Sequence, residues 1–440
     1  MTVKIALLGA GTVGSQVARL ITEQREDYQA RIGAEIELIG IVVSDTTKPR
    51  PDFIDSSLLT TDAETLIDAA DVVVELIGGI EPARTWIMRA LTAGKTVVTG
   101  NKALLAAHGP ELHDATAAHN ANLYFEAAVA GAVPVVYGLR ESMSGDRVER
   151  ILGIVNGTTN FILDEMSTEG MEYDEALTLA QQLGYAEADP TADVEGLDAG
   201  AKCAILASLG FHTRVSADDV DTAGITGITV ADIAEAKRSG TVIKLLAIAE
   251  RVNPDGTSGA EHPTSTTTPA DGEPISVRVH PTIVSADSPL ATVSGAFNAI
   301  ILDCDAAGRI MFYGQGAGGI QTASAVMSDV VAAATHTAHG GNAPRESAYA
   351  TSRIIDPAEV RSAYKIRLHV RPDLGTLAEI TALFAANQVS IAAVDQQGSD
   401  DAIVLTISTE PARSGNVEKL TAALTDTAAV REVLSVLHML

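Results

Sequence analysis

Residues 4–14, KIALLGAGTVG, decide the fold class that this sequence predicts. A short apolar run typical of a buried strand leads into Gly9, Gly11 and Gly14, and a helical stretch follows directly. The first glycine permits a tight turn, the second lets the backbone approach an anionic group, and the third lets the helix pack closely on the strand. Strand, turn and helix together predict a dinucleotide-binding loop, with a merely tight turn as the alternative.

The order of apolar segments divides the chain into three units. Residues 1–130 alternate short strands with helical stretches, which predicts a Rossmann-type dinucleotide-binding domain with a parallel sheet. Residues 131–310 are predicted to form an α+β substrate, catalytic and dimerisation domain, whereas about 311–340 should pack back on the first unit. We expect 341–362 to be a linker and 363–440 to be a ferredoxin-like βαββαβ domain. The predicted fold class is therefore α/β.

Composition narrows the class of function. Acidic residues exceed basic ones, 57 against 30, and the net charge of −27 disfavours nucleic acid and anionic membranes as partners. Cys203 and Cys304 lack the spacing of a disulfide framework or a zinc site, so we expect a cytoplasmic protein. The N-terminus shows no secretory pattern, and residues 127–139, the longest uncharged apolar run, are too short to span a bilayer. Residues 252–272, rich in Pro, Gly, Thr and Ser, are predicted to form an exposed, mobile loop.

The end of the second predicted strand bears on the choice of cofactor. It reads VVSDTTKPRP over residues 42–51. An acidic residue here, such as Asp45, usually bonds the ribose 2′-hydroxyl of NAD. Lys48 and Arg50 lie within five residues of Asp45 and could instead hold the 2′-phosphate of NADP. We therefore predict a preference for NADP(H) over NAD(H), although both basic residues would also suit a solvated loop.

Polar residues follow another predicted strand, KTVVT, at residues 95–99. Thr99, Asn101 and Lys102 come at or just past its carboxyl end, and ligands of an open parallel sheet bind beyond such ends. Lys102 could therefore point into the crevice or remain an ordinary surface lysine.

A second lysine lies in the apolar stretch LDAGAKCAILASLGF, residues 197–211. Lys202 is the only charged residue from Ala199 to Phe211, so the helix should be buried and the ammonium enclosed. Asp198 lies four residues earlier on the same helical face and could pair with it. A lysine tuned by burial, cations and carboxylates can deliver a proton at neutral pH, which suits carbonyl reduction beside a nicotinamide. The nearby carboxylates would suit a substrate with an amino group; they are Glu187, Asp189, Asp193, Glu195 and Asp198.

Six segments occur in the order and spacing found in homoserine dehydrogenases: GAGTVG, GNKALLA, YFEAAVAGAVPVV, GIVNGTTNFIL, LGYAEADPTADVEGLDAGAK and YGQGAGG. The chain resembles this family through essentially its whole length. The resemblance implies NAD(P)H-dependent interconversion of L-aspartate 4-semialdehyde and L-homoserine in the biosynthesis of threonine, methionine and isoleucine. It assigns the acid/base role to Lys202, a second active-site role to Lys102, and substrate binding to Glu187, Asp198 and Thr158.

The resemblance also implies a cofactor contact set and a metal. The cofactor contacts correspond to Thr12, Val13, Thr99, Lys102, Gly184 and Gly316. The family binds a monovalent cation, usually sodium, whose ligands correspond to Glu126, Val129, Gly131 and Val133, the last three through backbone carbonyls, which hard cations accept. From its own pattern the segment EAAVAGAV would be a buried strand and turn, so the cation depends on the resemblance alone.

Residues 371–380, RPDLGTLAEI, resemble the strand-loop-helix signature of ACT domains, which sense amino acids. Asp373 and Gly375 occupy positions at which such domains commonly meet an effector, and L-threonine is the implied feedback inhibitor. An oligomerisation module without a ligand is the alternative. The family and this domain together imply a homo-oligomer, either a dimer or a tetramer.

Two other functions compete with this interpretation. An aspartate-semialdehyde dehydrogenase would need a nucleophilic cysteine, and neither Cys203 nor Cys304 lies in a nucleophile-like turn. A non-catalytic amino-acid sensor could keep the nucleotide fold, but it would not need both lysines and the carboxylates.

Overall fold

A computed structural model describes residues 1–253, 255–259, 272–398 and 403–440. The first unit has the strands β1 (Thr2–Leu8), β2 (Glu35–Val42), β3 (Leu59–Thr60), β4 (Val72–Glu75), β5 (Thr96–Thr99) and β6 (Asn122–Tyr124). Its helices are α1 (Thr12–Glu23), α2 (Arg25–Ile32), α3 (Ala63–Ala69), α4 (Ala83–Thr92) and α5 (Lys102–His119). The strands pair in parallel in the order β3-β2-β1-β4-β5-β6, which confirms the predicted Rossmann-type sheet.

Apolar strands explain why this sheet is covered on both faces. Ile5 and Leu7 of β1 and Val73 of β4 are fully buried, as expected for parallel strands packed between helices. The strand order reverses between β1 and β4, where Leu8 pairs with Glu75 at the carboxyl ends. A crevice beyond that edge is the usual ligand site of an open α/β sheet.

The second unit is built on an antiparallel sheet in the order β12-β11-β7-β9-β10. Its strands are β7 (Val148–Ile154), β8 (Asp221–Thr222), β9 (Thr241–Arg251), β10 (Glu273–Ser285), β11 (Phe297–Cys304) and β12 (Gly308–Gln315), and β13 (Ser352–Ile354) pairs with β10. The helices that follow the first unit are α6 (Val135–Tyr137), α7 (Gly157–Thr168), α8 (Tyr173–Gln182), α9 (Thr191–Val194), α10 (Leu197–Phe211), α11 (Val230–Arg238) and α12 (Gly319–His339).

Helix α12 returns to the first unit. Its small buried residues, among them Ala323, Val326 and Ala333, share one hydrophobic core with Val3 and Ile5 of β1. Small side chains let this long helix lie close to the parallel sheet and to α1. One face of the parallel sheet is thereby covered by a helix that comes from late in the chain.

The third unit comprises β14 (Arg361–Val370), α13 (Thr376–Ala386), β15 (Ile391–Gln397), β16 (Ile403–Thr409), β17 (Ala412–Arg413), α14 (Ser414–Asp426) and β18 (Val430–Met439). Its antiparallel sheet runs β18-β14-β16-β15, the ferredoxin-like arrangement that the sequence predicts. Strand β18 also pairs in parallel with β10, with Thr282 opposite His438 and Ile283 opposite Met439. The second and third units therefore share one continuous sheet.

Two expectations about local structure need comment. The segment EAAVAGAV is buried, but the expectation that it continues as a strand is wrong, because β6 ends at Tyr124 and Glu126–Ala128 form one 3₁₀ turn. The turn is held by Glu126, whose carboxylate accepts the backbone N–H groups of Val136 and Tyr137. Most of the predicted exposed loop, residues 254 and 260–271, lies outside the described residues. Among the described residues, no helix is long and apolar enough to cross a membrane.

Candidate active site

The glycine loop leaves open space where a pyrophosphate would lie. Gly9 has a φ of +104°, and a Cβ there would lie 2.8 Å from the Leu76 carbonyl oxygen. A Cβ on Gly14 would lie 2.1 Å from the Gly9 carbonyl oxygen, whereas one on Gly11 would meet nothing within 4 Å. Gly11 precedes α1 without a side-chain cap, so the first N–H groups from Thr12 onward are free to face an anion. The loop therefore fits a dinucleotide.

The basic residues after β2 lie beside this loop. Arg50 donates from Nη1 to the Ala10 carbonyl at 3.0 Å and from Nη2 to the Asp45 carbonyl at 3.4 Å. The Asp45 carboxylate accepts from the hydroxyl and backbone N–H of Thr47, and these hydrogen bonds lower the pKa of Asp45. Lys48 is exposed. A guanidinium thus lies against the glycine loop, while the neighbouring carboxylate is engaged within its own turn.

Asp198 joins the two predicted active-site lysines. Its Oδ1 lies 2.6 Å from Lys102 Nζ and its Oδ2 lies 2.7 Å from Lys202 Nζ. Lys202 also donates to the Val155 carbonyl at 2.7 Å, and Asn156 Nδ2 donates to Asp198 Oδ2 at 2.9 Å. Only 9% of Lys202 and 8% of Asp198 are exposed, so the ammonium is enclosed as the sequence predicts.

Three helix termini bring these groups together. Lys102 is the first residue of α5, which begins there because the Asn101 side chain accepts from Leu104 N and caps the helix. Asp198 lies in the first turn of α10, and Lys202 lies one turn further along the same face. Asn156 caps α7 by accepting from Thr159 N while its amide nitrogen contacts Asp198.

The charges in this cluster stabilise one another. Burial alone would raise the pKa of Asp198, but the ammonium groups of Lys202 and Lys102 outweigh it and hold the pKa well below its usual range. Burial would likewise lower the pKa of Lys102, but Asp198 outweighs it and the pKa is raised. At neutral pH Asp198 is therefore ionised and Lys102 is protonated.

The other predicted substrate residues surround this cluster at different depths. Thr158, in the first turn of α7, is buried and donates to the Tyr185 carbonyl at 2.7 Å. Glu187 is exposed, and its charge contributes to raising the pKa of Lys102. Gly184 has a φ of +78° in the turn after α8, and a Cβ there would meet nothing within 4 Å. Gly184 and Glu187 are therefore exposed in this segment, and Glu187 lies within electrostatic reach of Lys102.

Two residues that the sequence analysis did not single out are part of this architecture. Glu75, at the end of β4, is fully buried, accepts the Thr99 hydroxyl at 2.6 Å, and accepts the N–H of Ile77 at 2.8 Å. It is the only carboxylate in the apolar run VVVELIGG, and this isolation is the feature of the sequence that could have predicted a buried carboxylate. Asn156 also donates to Asp193 at 2.7 Å, so one amide links two carboxylates. Glu75 fixes the loop at the carboxyl end of β4, and Asn156 fixes the turn between β7 and α7.

The segment predicted to bind a cation, EAAVAGAV, lies against Gly316 of the segment YGQGAGG. Ala130 and Gly131 both have positive φ, and a Cβ on Gly131 would lie 2.6 Å from the Gly316 carbonyl oxygen. Burial raises the pKa of Glu126 to about 7, and both carboxylate oxygens already accept backbone N–H groups. Among the described residues, no group of three or more His, Cys, Asp or Glu side chains could hold a metal. The backbone carbonyl oxygens of this turn are ligands of the kind that a hard monovalent cation accepts.

Neither cysteine has the environment of a nucleophile. Cys203 is buried in α10, with its Sγ 3.8 Å from the Arg278 carbonyl, and burial raises the pKa of its thiol to about 12. Burial also raises the pKa of Cys304 to about 11. Since the thiolate is the reactive form, the chemistry of an aspartate-semialdehyde dehydrogenase has no candidate group here.

The predicted effector residues lie in the third unit. Gly375 has a φ of +98° and precedes α13, and Asp373 is exposed in the same turn. The Asp373 carbonyl accepts from Thr376 N at 3.2 Å, which closes the turn. The structure brings Asp373 and Gly375 together at a helix N-terminus.

A dinucleotide loop, a carboxylate that joins two lysines, and a mixed-sheet catalytic domain define an NAD(P)-dependent oxidoreductase. A family model described as "Homoserine dehydrogenase" matches residues 134–331, and one described as "Homoserine dehydrogenase, NAD binding domain" matches residues 9–126. The chain belongs to the homoserine dehydrogenase family.

Whole-length relatives support this assignment. The chain is 50% identical over 440 residues to a homoserine dehydrogenase of Corynebacterium glutamicum, covering 99% of this chain and 95% of that one. It is 38% identical over 440 residues to that of Bacillus subtilis, covering 98% and 97%. The crystal structure of a homoserine dehydrogenase from Thiobacillus denitrificans superposes with a TM-score of 0.90 at 36% identity, covering 100% and 98%. A hyperthermophilic archaeal homoserine dehydrogenase in complex with NADPH has a TM-score of 0.60 at 28% identity, covering 76% and 98%.

Proposed function

We propose that this chain reduces L-aspartate 4-semialdehyde to L-homoserine, reversibly, with NADPH as the preferred cofactor, on the route to threonine, methionine and isoleucine. The observation that carries the proposal is the Lys102–Asp198–Lys202 cluster at the carboxyl edge of the dinucleotide-binding sheet. When bound, the nicotinamide supplies the hydride. The chain's own residues must then bind the aldehyde, exclude water and move one proton.

Lys202 is the proposed proton donor. It lies within one buried network, where Asp198 and the Val155 carbonyl fix the direction of its ammonium. During reduction the ammonium gives a proton to the aldehyde oxygen, and during oxidation the neutral amine takes it back. Lys102 is more exposed and adds positive charge where negative charge develops on that oxygen.

Substrate binding is assigned to the groups that line the open side of the cluster. Glu187 is exposed and suits the substrate ammonium, and Asp198 adds a second carboxylate. The Thr158 hydroxyl is held by the Tyr185 carbonyl and can accept a hydrogen bond from substrate. Cofactor contacts are assigned to Thr12, Val13, Thr99, Lys102, Gly184 and Gly316. A sodium ion is assigned to Glu126 and to the backbone carbonyls of Val129, Gly131 and Val133.

The preference for NADPH can be tested at Arg50. Its guanidinium lies against the glycine loop, where a 2′-phosphate would be within reach. Arg50→Ala is expected to lower kcat/KM with NADPH by about tenfold to a hundredfold, the usual effect of losing a charge-assisted hydrogen bond, and to leave kcat/KM with NADH within about twofold. Lys48→Ala should give a smaller loss in the same direction.

Steady-state kinetics with both cofactors provide the measurement for this prediction. Arg31→Ala is the matched control, because Arg31 is exposed and pairs with Asp27 on α2. Equal losses with NADH and NADPH in Arg50→Ala, or a clear NADH preference in the unaltered protein, would reject the assignment.

Feedback control by L-threonine is proposed for the third unit, which resembles an ACT domain. Asp373 and Gly375 form an exposed turn that suits an amino-acid ligand. Asp373→Ala is expected to raise the threonine concentration for half-inhibition by about tenfold or more while kcat without threonine is kept. Asp426→Ala, at an exposed position at the end of α14, is the control and should respond like the unaltered protein. Unchanged inhibition in Asp373→Ala, or an unaltered protein indifferent to threonine, would rule out the site.

Two further features belong to this proposal. A homo-oligomer, dimer or tetramer, is expected from the family and the ACT-like unit. A cytoplasmic location is expected because Cys203 and Cys304 are both unpaired.

The activity itself is tested by following the nicotinamide absorbance with L-homoserine and each oxidised cofactor, and by identifying the product. Formation of L-aspartate 4-semialdehyde with NADP⁺ supports the proposal. Absence of turnover with either cofactor, at a protein concentration that binds NADPH, contradicts it. Repeating the assay with L-threonine separates the regulatory proposal from the catalytic one.

A further inference from the structure

A cavity of about 230 Å³ lies between α5, α10 and residues 345–349 of the segment that leads to the third unit. Its walls include Leu105 and Phe125 on one side and Ile205 and Leu209 on the other. None of the described residues that line it belongs to the Lys102–Asp198–Lys202 cluster. The cavity is therefore a separate site, with an apolar interior that suits a small organic molecule of about ten non-hydrogen atoms.

The charge of the cavity is opposite to that of the protein. Its described lining contains three arginines, Arg140, Arg214 and Arg345, against one carboxylate, Glu346, in a chain with a net charge of −27. Arg140 donates to two backbone carbonyls, of Leu123 and Pro344, and no carboxylate of the described residues accepts from it. Arg345 is exposed at the rim. The exposed guanidinium of Arg345, together with the positive charge of Arg140, is therefore suited to an anionic ligand.

The cavity is directly connected to both active-site lysines through their helices. Leu105 lies three residues after Lys102 on α5, and Ile205 lies three residues after Lys202 on α10. Residues three apart share a helical face, so a ligand between the helices contacts the turn next to each lysine. A shift of α5 relative to α10 would change the distance from Lys102 on α5 to Asp198 on α10, and with it the ion pair that joins the two lysines.

The segment 345–349 links the cavity to the third unit. Arg214 pairs with Glu346 at 2.7 Å, the Tyr349 ring stacks on His212 with centroids 4.9 Å apart, and the Ala350 N–H donates to the His212 carbonyl at 2.9 Å. This segment continues into β13 and then β14. It is consequently in contact with α10 on one side and continuous with the third unit on the other.

We infer that this cavity binds a small carboxylate with an apolar body, and that its occupancy changes the turnover of the active site through α5 and α10. The carboxylate lies against Arg345 and Arg140, and the apolar body lies between Leu105, Ile205 and Leu209. The inference goes beyond the proposed function, which assigns no ligand to this cavity. Binding to the cavity can also be measured without turnover.

Titration calorimetry of the full chain with phenylacetate, 3-phenylpropionate and 4-phenylbutyrate measures binding, with 4-phenylbutan-1-ol as the uncharged comparison. At least one carboxylate should bind, the alcohol should bind at least about tenfold more weakly, and the bound carboxylate should change kcat by about fivefold. Arg345→Gln should weaken carboxylate binding by about tenfold, whereas Arg353→Gln, an exposed arginine outside the cavity lining, should not.

Leu209→Trp, which fills the interior, should abolish binding while the basal rate is kept; if that variant fails to fold, Arg345→Gln carries the comparison. Three results would overturn the inference: no binding by any of the three carboxylates, equal binding by the alcohol, or binding that competes with L-homoserine and is unchanged in Arg345→Gln. Binding with an unchanged kcat would overturn the coupling to the active site.

Discussion

Lys202→Ala is expected to lower kcat by about 10³-fold while the affinity for NADPH is kept. The ammonium of Lys202 lies 2.7 Å from Asp198 and is almost wholly enclosed, so water cannot readily replace it as a proton donor. The dinucleotide loop lies in the first unit, whereas Asp198 and the Val155 carbonyl, which hold this ammonium, lie in the second. The loss should therefore appear in kcat and not in cofactor binding.

Two companion variants make this test specific. Lys202→Arg keeps the positive charge but replaces the ammonium with a group that hardly releases its proton, so it should be nearly as inactive as Lys202→Ala. Cys203→Ala alters the next residue of the same buried helix and should keep activity within about threefold. Near-normal kcat in Lys202→Ala would reject the assignment, and a large loss in Cys203→Ala would reopen thiol chemistry.

Asp198→Asn is expected to reduce both stability and turnover. The substitution leaves the ammonium of Lys202 buried without its counter-ion. This change costs about 3 kcal/mol and lowers the Tm of a domain of about 150–250 residues by about 6–12 °C. The kcat/KM for L-homoserine should fall at least about a hundredfold, because both lysines lose the group that orients them. Thermal unfolding followed by circular dichroism, together with steady-state kinetics, checks both outcomes.

The pH dependence of this stabilisation has a definite sign. Because the pKa of Asp198 is lowered in the folded chain, its contribution is present above the unfolded pKa of about 4 and is lost as the pH falls towards the folded value. The difference in Tm between the unaltered protein and Asp198→Asn should thus be full at pH 7 and smaller at pH 3. Glu187→Gln, at an exposed carboxylate, is the control and should leave Tm unchanged at both pH values. A difference that is constant with pH would contradict the ion-pair explanation.

The sequence was sufficient for the features that depend on local pattern. The glycine spacing and alternating apolar segments predicted the parallel sheet, and the absence of other charges around Lys202 predicted its burial. The pairing of Asp198 with Lys202 followed from helical spacing alone. Each of these inferences needs only the period of one helix or strand.

The features that the sequence did not reveal depend on contacts between distant segments. The ion pair between Lys102 and Asp198 joins positions 96 residues apart, and the buried Glu75–Thr99 hydrogen bond joins two adjacent parallel strands. The pairing of β18 with β10 crosses two units. The strand expected in EAAVAGAV failed because Glu126 finds its N–H partners ten and eleven residues ahead, which no local period indicates.

Chemical rescue of Lys202→Ala tests the central claim most directly, because it asks whether the missing group is a proton donor. Primary alkylamines small enough to enter the vacated space are added to the variant, and the rate of L-aspartate 4-semialdehyde reduction by NADPH is measured. The rate should rise with the concentration of protonated amine and vary with its pKa, whereas tetramethylammonium, which has charge but no proton to give, should have no effect. An equal effect of tetramethylammonium, or no rescue by any amine in a variant that still binds NADPH and substrate, would contradict proton transfer by Lys202.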